Sequence, residues 1–452
     1  MLFAEIAVDT YQDPRKKLFT YQIPADLATP VEPGAQVTVP FGRRTAEGYV
    51  WQVTRKTPPF PTKPIQSVKK RIFSDKQLQL AKWMTKRYLA SPLECLKCQL
   101  IGKGERAFRT NPEKITTIIL VPSAAQVRIW ALTHPQALIG SRSAVFSQLP
   151  HLKKIVVEEP ENWNYKDERA PYYHAKEIAQ KRAELEGLEL ELHYQIPRVE
   201  DLEKEKLKVP QIRPPKIVNL SRERLSGNFT FVSQPLADLL GARKNTIVYV
   251  NSRELREEIK TEIAKVGADR NTFEIFGPEI FSFMGKETDY VVWADSDTLL
   301  NLPDFRAHEK LVWTVGKLTR IAKKTVYLQT AFPQHPLFAD LASGNLENFY
   351  RREVRNRKEF LFPPFATLVK LSYAARNSVK AHLEAERIQD YLEEKANQKT
   401  FLVSPPYESF SKTPGKVQLH VAVRTTQPEL LAKLPEAINP DWRIEVDPES
   451  LL

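Results

Sequence analysis

Cysteine is scarce in this sequence, since its 452 residues contain only two, Cys95 and Cys98. A structural zinc site needs four ligands, and one Cys-x-x-Cys pair supplies two of them. No further cysteine or suitably spaced histidine completes the set, so the sequence predicts no metal site. Both cysteines alternate with leucines in SPLECLKCQLIG, which favours buried positions on a helix.

Long apolar runs are also lacking. No stretch approaches the roughly 18 uninterrupted apolar residues of a membrane span. The first residues, MLFAEIAVDTYQD, have neither the basic start nor the apolar core of an export signal. We therefore expect a cytoplasmic protein without a membrane partner.

A third absence concerns nucleotide binding. P-loop motors hold phosphates with the pattern GxxxxGK[ST], in which backbone amides wrap the phosphate groups. No such pattern occurs in the sequence, and the nearest stretches, LIGKGERAF and FMGKETD, lack the first glycine at the required spacing. These stretches are typical of surface turns. The 8 histidines are scattered and suggest no catalytic triad.

Positive charge, by contrast, is abundant. Lysine and arginine number 67 against 55 acidic residues, a net charge of +12. Residues 1–105 hold 17 basic and 9 acidic side chains, whereas residues 345–452 hold 16 and 15. An excess concentrated in the N-terminal part indicates a polyanionic partner such as nucleic acid, although a solubilising surface would have the same composition.

The pattern of predicted elements indicates several domains. Short strand-like runs separated by turn residues occupy residues 1–54, and a helical pattern begins after Ser74, which can cap its N-terminus. β-rich runs then alternate with helical stretches, as expected of α/β domains with mostly parallel sheets. After about Gly344 a helix flanked by strands predicts a compact α+β module.

Two carboxylates follow a predicted strand in KIVVEEPENW. The strand residues 155–157 would deliver Glu158 and Glu159 to a sheet edge where nucleotide-dependent motors hold magnesium. Pro160 follows at once, and without a phosphate cradle a metal-holding acid has no phosphoryl group to act on. We therefore interpret both glutamates as retained surface acids.

Candidate nucleic-acid contacts lie in the basic N-terminal part. Phe19 and Tyr21 flank Thr20 on one strand and share a face, so the two rings either stack on bases or belong to the core of the sheet. Arg43 and Arg44 follow a glycine in a predicted turn, from which their side chains can reach phosphate.

A second basic cluster occurs in YRREVRNRKEF, residues 350–360. Arg351, Arg352 and Arg355 are secondary candidates for DNA contact. At helical spacing they cover more than one face, so a phosphate contact and a solvated helix are both consistent with the pattern.

Six segments, in this order along the chain, resemble the primosomal protein N′ family, the PriA replication-restart helicases. They are LFTYQIP with GAQVTVPFGRRTAEGYVWQV and TKPI; LVPSAAQ; LIGSRSAVFSQLPHLKKIVVEEPENWNYKDERAPYYHAKEIA; NTIVYVNSRE with VVWADSDTLLNLPDFRAHEKLVW; TVYLQTAFPQHPLF; and YRREVRNRKEFLFPPFATLVKLSY with IEVDPESLL. The resemblance spans nearly the whole chain.

The resemblance implies a multidomain α/β protein. Residues 1–105 would form the small β-rich domain that binds the 3′ end of DNA, and residues 112–216 and 217–343 two reduced, RecA-like helicase lobes. Residues 344–452 would form the family's C-terminal α+β domain. Lys63 in TKPI matches a basic DNA contact of the family. Thr20 stands where the family has an aspartate that contacts the 3′-terminal sugar, and a hydroxyl is the weaker partner for that sugar.

The departures from the family concern the parts that use ATP. Its P-loop is absent, as is the winged-helix segment expected between about residues 104 and 114, and its acidic Asp-Glu-Glu-His is replaced by residues 158–161, Glu-Glu-Pro-Glu. Its coupling motif has become HYQIP, residues 193–197, and Arg320 alone remains of the arginine-finger motif. The zinc-binding cysteines are missing too. We expect no ATP, magnesium or zinc as cofactors.

The sequence thus predicts a DNA-binding, PriA-like protein of replication restart and the primosome, acting at forked or single-stranded DNA without ATPase or helicase activity. DNA would be its partner, and other primosome proteins are candidates. Two alternatives stay open: an ATP-dependent 3′-to-5′ DNA helicase with an unrecognised nucleotide site, and a structural regulator of another helicase.

Overall fold

A computed structural model describes residues 1–9, 18–25, 27, 30–100, 106–107, 111–265, 271–283, 285–394, 400–409 and 414–452. These residues form four five-stranded sheets. They divide into two compact units, of which the first comprises Met1–His193 and Ala366–Pro448 and the second Tyr194–Phe365 and Glu449–Leu452.

The first sheet is antiparallel, and two helices follow it. Its strands are β1 Leu2–Val8, β2 Phe19–Ile23, β3 Ala35–Phe41, β4 Arg44–Thr54 and β5 Ser67–Arg71, and the helices are α1 Asp75–Tyr88 and α2 Pro92–Leu100. The strand order is β2-β1-β4-β3-β5. Alternate residues of β3 are buried, as expected of a sheet with one face on a core. Ser74 caps α1 in a capping box with Gln77, which satisfies backbone amides that the helix leaves without partners.

The second sheet is mostly parallel and also lies in the first compact unit. Its elements are β6 Arg106–Ala107, β7 Thr117–Leu120, α3 Ala124–Thr133, β8 Ala137–Gly140, β9 Lys154–Glu158, α4 Ala175–Glu186 and β10 Glu189–His193. The order is β10-β9-β7-β8-β6, with β6 antiparallel to β8 and the other pairs parallel. Strands β7, β8 and β9 are almost continuously buried, as in α/β sheets with both faces covered.

The third sheet is wholly parallel and organises the second compact unit. The elements are α5 Val199–Glu205, β11 Lys216–Asn219, α6 Leu220–Leu225, α7 Gln234–Gly241, β12 Thr246–Tyr249, α8 Arg253–Lys265, β13 Phe273–Phe276, β14 Thr288–Trp293, α9 Asp297–Leu300, α10 Ala307–Ile321, β15 Ala322–Thr330, α11 Pro336–Ser343 and α12 Glu347–Glu359. The strand order is β11-β15-β14-β12-β13. Strand β12 is buried throughout its length.

A buried ion cluster stabilises the second unit beside this sheet. Arg306 contacts Glu200 at 2.5 Å and Glu309 at 3.0 Å, and Arg357 contacts the same two carboxylates at 3.0 and 3.1 Å. Burial alone would raise the pKa of Glu200, but the two guanidinium groups outweigh it and hold that pKa well below its usual value. Such a cluster is stable only while each charge keeps its partner.

The fourth sheet is antiparallel and belongs to the first compact unit. Its elements are β16 Thr367–Ala375, α13 Ser378–Glu393, β17 Phe401–Val403, β18 Tyr407–Glu408, β19 Val417–Thr425, α14 Leu434–Ala437 and β20 Arg443–Val446. The order is β17-β19-β16-β20, and β18 also pairs with β19. Short 3-10 helices occur at Pro112–Lys114, Arg142–Phe146, Trp163–Tyr165, Pro278–Ser282 and Pro428–Leu431.

One arginine connects distant segments within the first unit. Arg87 of α1 contacts Glu177 of α4 and Asp447, which follows β20, both at 2.6 Å. The Tyr88 hydroxyl donates to Glu177 at 2.7 Å, and Lys166 Nζ donates to the Asp447 carbonyl at 3.1 Å. We call these five residues the Arg87 cluster. It ties the first, second and fourth sheets of the unit through their flanking segments.

The predicted multidomain α/β architecture is confirmed, and so is the buried, helical position of Cys95 and Cys98 on α2. The four-domain division remains a prediction. Residues 366–448 lie in the same compact unit as residues 1–193, whereas 344–365, with α12, lie in the other. In the part of the chain that the structure describes, no helix is both long and apolar enough to cross a membrane.

The Arg87 cluster predicts a pH-dependent stability. Burial raises the pKa of Glu177, but the Arg87 guanidinium more than offsets this, so the net pKa lies well below its usual value of 4.5. The carboxylate therefore stabilises the fold above pH 4.5, and this contribution is lost as the pH falls below that value. We expect Glu177→Gln to lower the free energy of unfolding by about 1–3 kcal/mol at pH 7 and by less at pH 3, where part of the carboxylate's contribution is already lost, measured by urea denaturation.

The matched control is Glu184→Gln, because Glu184 lies on the same helix and pairs with Lys181 while its side chain is 67% exposed. Exposed pairs contribute little, so this variant should match the wild type at both pH values. An equal loss of stability for Glu177→Gln at pH 7 and pH 3 would contradict the assigned role of the charge.

Candidate nucleic-acid interface

A tight turn presents two arginines at one end of the first sheet. Phe41 at the end of β3 pairs with Arg44 at the start of β4, which leaves Gly42 and Arg43 as the turn. Gly42 has a φ of +60°, the left-handed region that a two-residue hairpin of this kind requires at its first position. Both arginine side chains are exposed.

Lys63 reaches this turn from the proline-rich segment that follows β4. Gln22 of β2 donates its amide to the Lys63 carbonyl and accepts from the Ile65 amide, both at 3.0 Å. Ile65 is buried and anchors the segment beside β2. Lys63 Nζ then lies 3.4 Å from the Gly42 carbonyl, to which it donates. The structure thus brings Lys63 to Arg43 and Arg44, as the DNA-binding prediction requires.

Phe19 lies at the same end of the sheet. Its ring meets that of Phe41 edge to face, with centroids 5.1 Å apart, and it is only half-buried. Phe41 directly precedes the turn and was not singled out from the sequence, although its position before Gly42-Arg43 was a usable signal. We call Phe19, Phe41, Arg43, Arg44 and Lys63 the hairpin end.

Tyr21 does not join the hairpin end, and its predicted role as a stacking surface is wrong. Its side chain is 5% exposed, and its hydroxyl donates to the Pro40 carbonyl at 3.1 Å. Burial raises the pKa of this hydroxyl. Tyr21 is a core residue of the sheet, which was the alternative interpretation of the Phe-x-Tyr pattern.

Thr20 points to the opposite face of β2 from Phe19, because side chains alternate along a strand. It is paired in register with Glu5, whose carboxylate accepts from Gln52 Nε2 at 2.7 Å. Thr20 therefore lies on the polar face of the sheet. Its predicted contact with a 3′-terminal sugar remains a prediction.

The charges around the turn are not all equivalent. Lys69 of β5 is paired with Glu47, and this contact, followed by a bond from Gln36, lowers the pKa of the Glu47 carboxyl. Among the residues that the structure describes, Arg43 and Arg44 form no ion pair of this kind. They remain available to a polyanion, whereas Lys69 is largely neutralised.

The acidic motif lies at the C-terminal edge of the second sheet and is not a pair of surface acids. Glu158 ends β9, and its Oε1 lies 2.7 Å from Nδ1 of His193, the last residue of the neighbouring strand β10. Glu159 is 7% exposed and has a φ of +52°. Tyr165 donates its hydroxyl to the Glu158 carbonyl at 2.7 Å. The prediction of retained surface acids is therefore wrong for Glu159.

The described strand ends of the second sheet carry no glycine-rich loop. Residues 121–123 connect β7 to α3, and Ser123 Oγ accepts from the Gln126 amide at 3.3 Å in a capping box. The Gln126 amide in the first turn of α3 thus already has a protein partner. The glycines of LIGKGERAF lie at positions 102 and 104, outside the described residues.

The second basic cluster divides between structural and exposed cations. Arg351 and Arg355 are exposed on α12, while Arg352 donates to Asp340 and Arg357 lies in the buried ion cluster described above. Arg320 is exposed in the last turn of α10. The proposed DNA contacts of this cluster and the arginine-finger origin of Arg320 remain predictions.

Within the described ranges, no group of three or more histidine, cysteine or carboxylate side chains could hold a metal ion. Burial raises the pKa of the Cys95 thiol to about 12. A metal-binding thiolate requires the opposite shift, so Cys95 is an inert packing residue in this fold.

The assignment of Tyr21 to the core predicts separable effects. Tyr21→Phe removes the bond to Pro40 but keeps the ring, so we expect the free energy of unfolding to fall by about 1 kcal/mol. Affinity for single-stranded DNA should stay within twofold of wild type, because the ring is inaccessible. Phe19→Ala is the comparison, since it removes an accessible ring. Urea denaturation and fluorescence anisotropy measure the two effects, and a large affinity loss in Tyr21→Phe would contradict the assignment.

The N-terminal part of the chain matches a known domain. Residues 5–100 match the family model of the PriA 3′ DNA-binding domain. These residues include the whole hairpin end, α1 and most of the first sheet.

Several bacterial proteins that are named PriA are similar to this chain. The chain is 20% identical over 424 residues to the replication restart protein PriA of Bacillus subtilis, covering 70% of this chain and 53% of that protein. It is 33% identical over 143 residues to the PriA of Synechocystis, covering 27% and 17%. With the PriA of Haemophilus influenzae it shares 28% over 180 residues, covering 36% and 24%. The chain thus spans about half the length of the Bacillus protein.

Among solved structures, a point variant of Saccharomyces cerevisiae Dbp5 bound to RNA and ADP BeF3 aligns with a TM-score of 0.34 at 13% identity, covering 64% of this chain and 97% of that one. This similarity is low, and the four sheets described above define the fold. Residues 5–100 thus match the PriA 3′ DNA-binding domain, and the chain as a whole is similar to the PriA replication restart proteins of several bacteria.

Proposed function

We propose that this chain binds a 3′ end or a single-stranded segment of DNA at a fork and acts in replication restart without hydrolysing ATP. The observation that carries the proposal is the hairpin end, which lies within the region similar to a 3′ DNA-binding domain. Its exposed cations supply the sequence-independent attraction to phosphates on which DNA affinity depends.

The hairpin end also has the geometry of a strand-end site. The turn holds Arg43 and Arg44 at the rim of the sheet, and the bond from Lys63 to the turn brings a third cation to within 3.4 Å of Gly42. Beside them the half-buried Phe19 ring offers an apolar surface against which a terminal base can stack. Cations near an accessible ring suit a single strand better than the interior of a duplex, because bases within a duplex already stack on both faces.

Two features support the proposal that this chain does not hydrolyse ATP. The sequence contains no GxxxxGK[ST] cradle, and phosphoryl transfer depends on positioned amides and charges around the phosphates. In addition, Glu158 Oε1 already lies within hydrogen-bonding distance of His193 Nδ1, at 2.7 Å, so a metal ion would have to displace that partner. We accordingly propose that ATP, magnesium and zinc are not cofactors.

We also propose domain boundaries, a cellular location and partners for this chain. The second and third sheets would be degenerate RecA-like lobes over residues 112–216 and 217–343, followed by a PriA-like C-terminal domain over 344–452. The protein would act in the cytoplasm, with DNA as its partner and with other primosome proteins as candidates.

The DNA-binding proposal predicts a salt-dependent affinity that the hairpin end controls. We expect Arg43→Ala combined with Arg44→Ala and Lys63→Ala to weaken binding of fork DNA with a free 3′ single strand by roughly tenfold to 100-fold at low salt. The slope of log K against log salt should become shallower by about 2, because roughly 0.7 is lost for each single-strand phosphate contact removed. Fluorescence anisotropy over a salt series measures both.

The control replaces three exposed lysines outside the first sheet, Lys114, Lys153 and Lys433, by alanine. It removes the same charge and should retain most of the affinity and the slope. If the two triple variants lose affinity equally, the attraction is a property of net charge alone and the hairpin end is not the site.

The alternative of an active helicase rests on one observation, the location of Glu158 at the C-terminal end of β9 in a parallel sheet. In motors of this architecture such an acid holds magnesium. Under our proposal, DNA-stimulated release of phosphate from ATP stays at background in the wild type, and Glu158→Gln changes nothing. Hydrolysis that rises with fork DNA and disappears in Glu158→Gln would establish the helicase instead.

A further inference from the structure

A polar cleft of about 420 Å³ opens in the fourth sheet. The residues that line it are far along the chain from those of the hairpin end. The end of β16, the start of β19 and the start of β20 form one part of it, and the first turn of α13 forms another. Four cations line it, Arg376, Lys380, Lys416 and Arg443, together with a single carboxylate, Asp441. Its volume lies within the range of small-ligand sites, about 300–1,000 Å³.

This local charge differs from that of the surrounding chain. Residues 345–452 are nearly balanced, with 16 basic and 15 acidic side chains, so the four-to-one excess is specific to the cleft. Two nearby acids are already engaged, Glu445 by Lys370 at 4.0 Å and Glu384 by Arg387 at 2.9 Å. Cations grouped in this way repel each other, and an anion between them would relieve that repulsion.

The start of α13 adds to the positive potential. The helix spans 16 residues and has no acidic residue in its first turn, where helices ordinarily favour one. Lys380 occupies that turn instead, and its amide donates to the Asn377 side chain at 2.9 Å. A lysine at this end is unfavourable to the isolated helix, so its presence suits a ligand of negative charge.

We propose that this cleft binds a small phosphate ester that also carries hydroxyl groups, such as a sugar phosphate. The four cations would take the phosphate, and Asp441 would accept a hydrogen bond from a hydroxyl. The carboxylate is the feature that selects this class. It would repel a bare oxyanion or a continuous phosphate backbone, whereas it recognises a ligand with a phosphate at one end and hydroxyls at the other.

Ribose 5-phosphate and inorganic pyrophosphate are the probes that test this site, with isothermal titration calorimetry on the whole chain as the measurement. We expect ribose 5-phosphate to bind the wild type at one molecule per chain. Arg376→Ala combined with Lys416→Ala should weaken it about tenfold or more, because charge-assisted bonds to the phosphate are lost.

Asp441→Ala distinguishes the proposed recognition from simple attraction between charges. It removes the hydroxyl acceptor and a repulsive charge together, so ribose 5-phosphate should bind more weakly while pyrophosphate binds more tightly. These opposite signs would not follow from a change in folding. Thermal denaturation of each variant checks that the exposed substitutions leave the fold intact.

The matched control is Lys153→Ala combined with Lys433→Ala, two exposed lysines of the same compact unit that do not line the cleft. It should bind ribose 5-phosphate like the wild type. Three results would overturn the proposal: no saturable binding, equal weakening in the control, or displacement of ribose 5-phosphate by a single-stranded oligonucleotide. The last would assign the cleft to a DNA strand instead, independently of whether the hairpin end binds DNA.

Discussion

The first compact unit depends on one guanidinium that serves two carboxylates from distant parts of the chain. Arg87 contacts Glu177 and Asp447, which lie 90 and 360 positions further along. Its side chain is 23% exposed, so much of its hydration is gone and the two acids replace it. Removal of one carboxylate would leave part of that charge without compensation.

This arrangement explains why the chain returns to its N-terminal unit at its C-terminal end. The backbone after β20 is held where Asp447 accepts from the Leu368 amide at 3.1 Å and its carbonyl accepts from Lys166. Strands β16, β19 and β20 are therefore fixed relative to α1 and α4 by polar contacts as well as by apolar packing. The first unit consequently combines residues 1–193 with residues 366–448, although the residues between these two ranges belong to the second unit.

Local patterns were sufficient to predict the elements. The run LFAEIAV is β1, and the helix expected after Ser74 is α1, on which Leu78 and Met84 are buried. Such features depend on period and capping, which neighbouring residues determine. By contrast, neighbouring residues in the sequence do not determine how deeply a side chain is buried in a core. Phe19 and Tyr21 have the same local pattern, yet Tyr21 is buried and donates to the Pro40 carbonyl whereas Phe19 is only half-buried, because tertiary packing decides how far each ring is covered.

Tertiary contacts also decide which cations of the basic cluster at residues 350–360 are accessible. Sequence shows the cations but not the carboxylates that folding brings to them. Arg357 contacts Glu200, more than 150 positions away in sequence, and is therefore not available to bind a polyanion. Arg355 on the same helix remains exposed. A count of basic residues therefore overstates what a polyanion can contact, and ion pairs within the fold decide which cations are available.

The same reasoning applies to the acidic motif and completes the case for the proposed function. Strand β9 is held by the burial of Ile155 and Val157 and by the bond from Tyr165 to the Glu158 carbonyl, and neither contact needs a nucleotide. The Glu158 side chain lies 2.7 Å from Nδ1 of His193. Under the proposed function, a sheet stabilised in this way would keep its shape without a phosphate-binding loop and would support the DNA-binding domain.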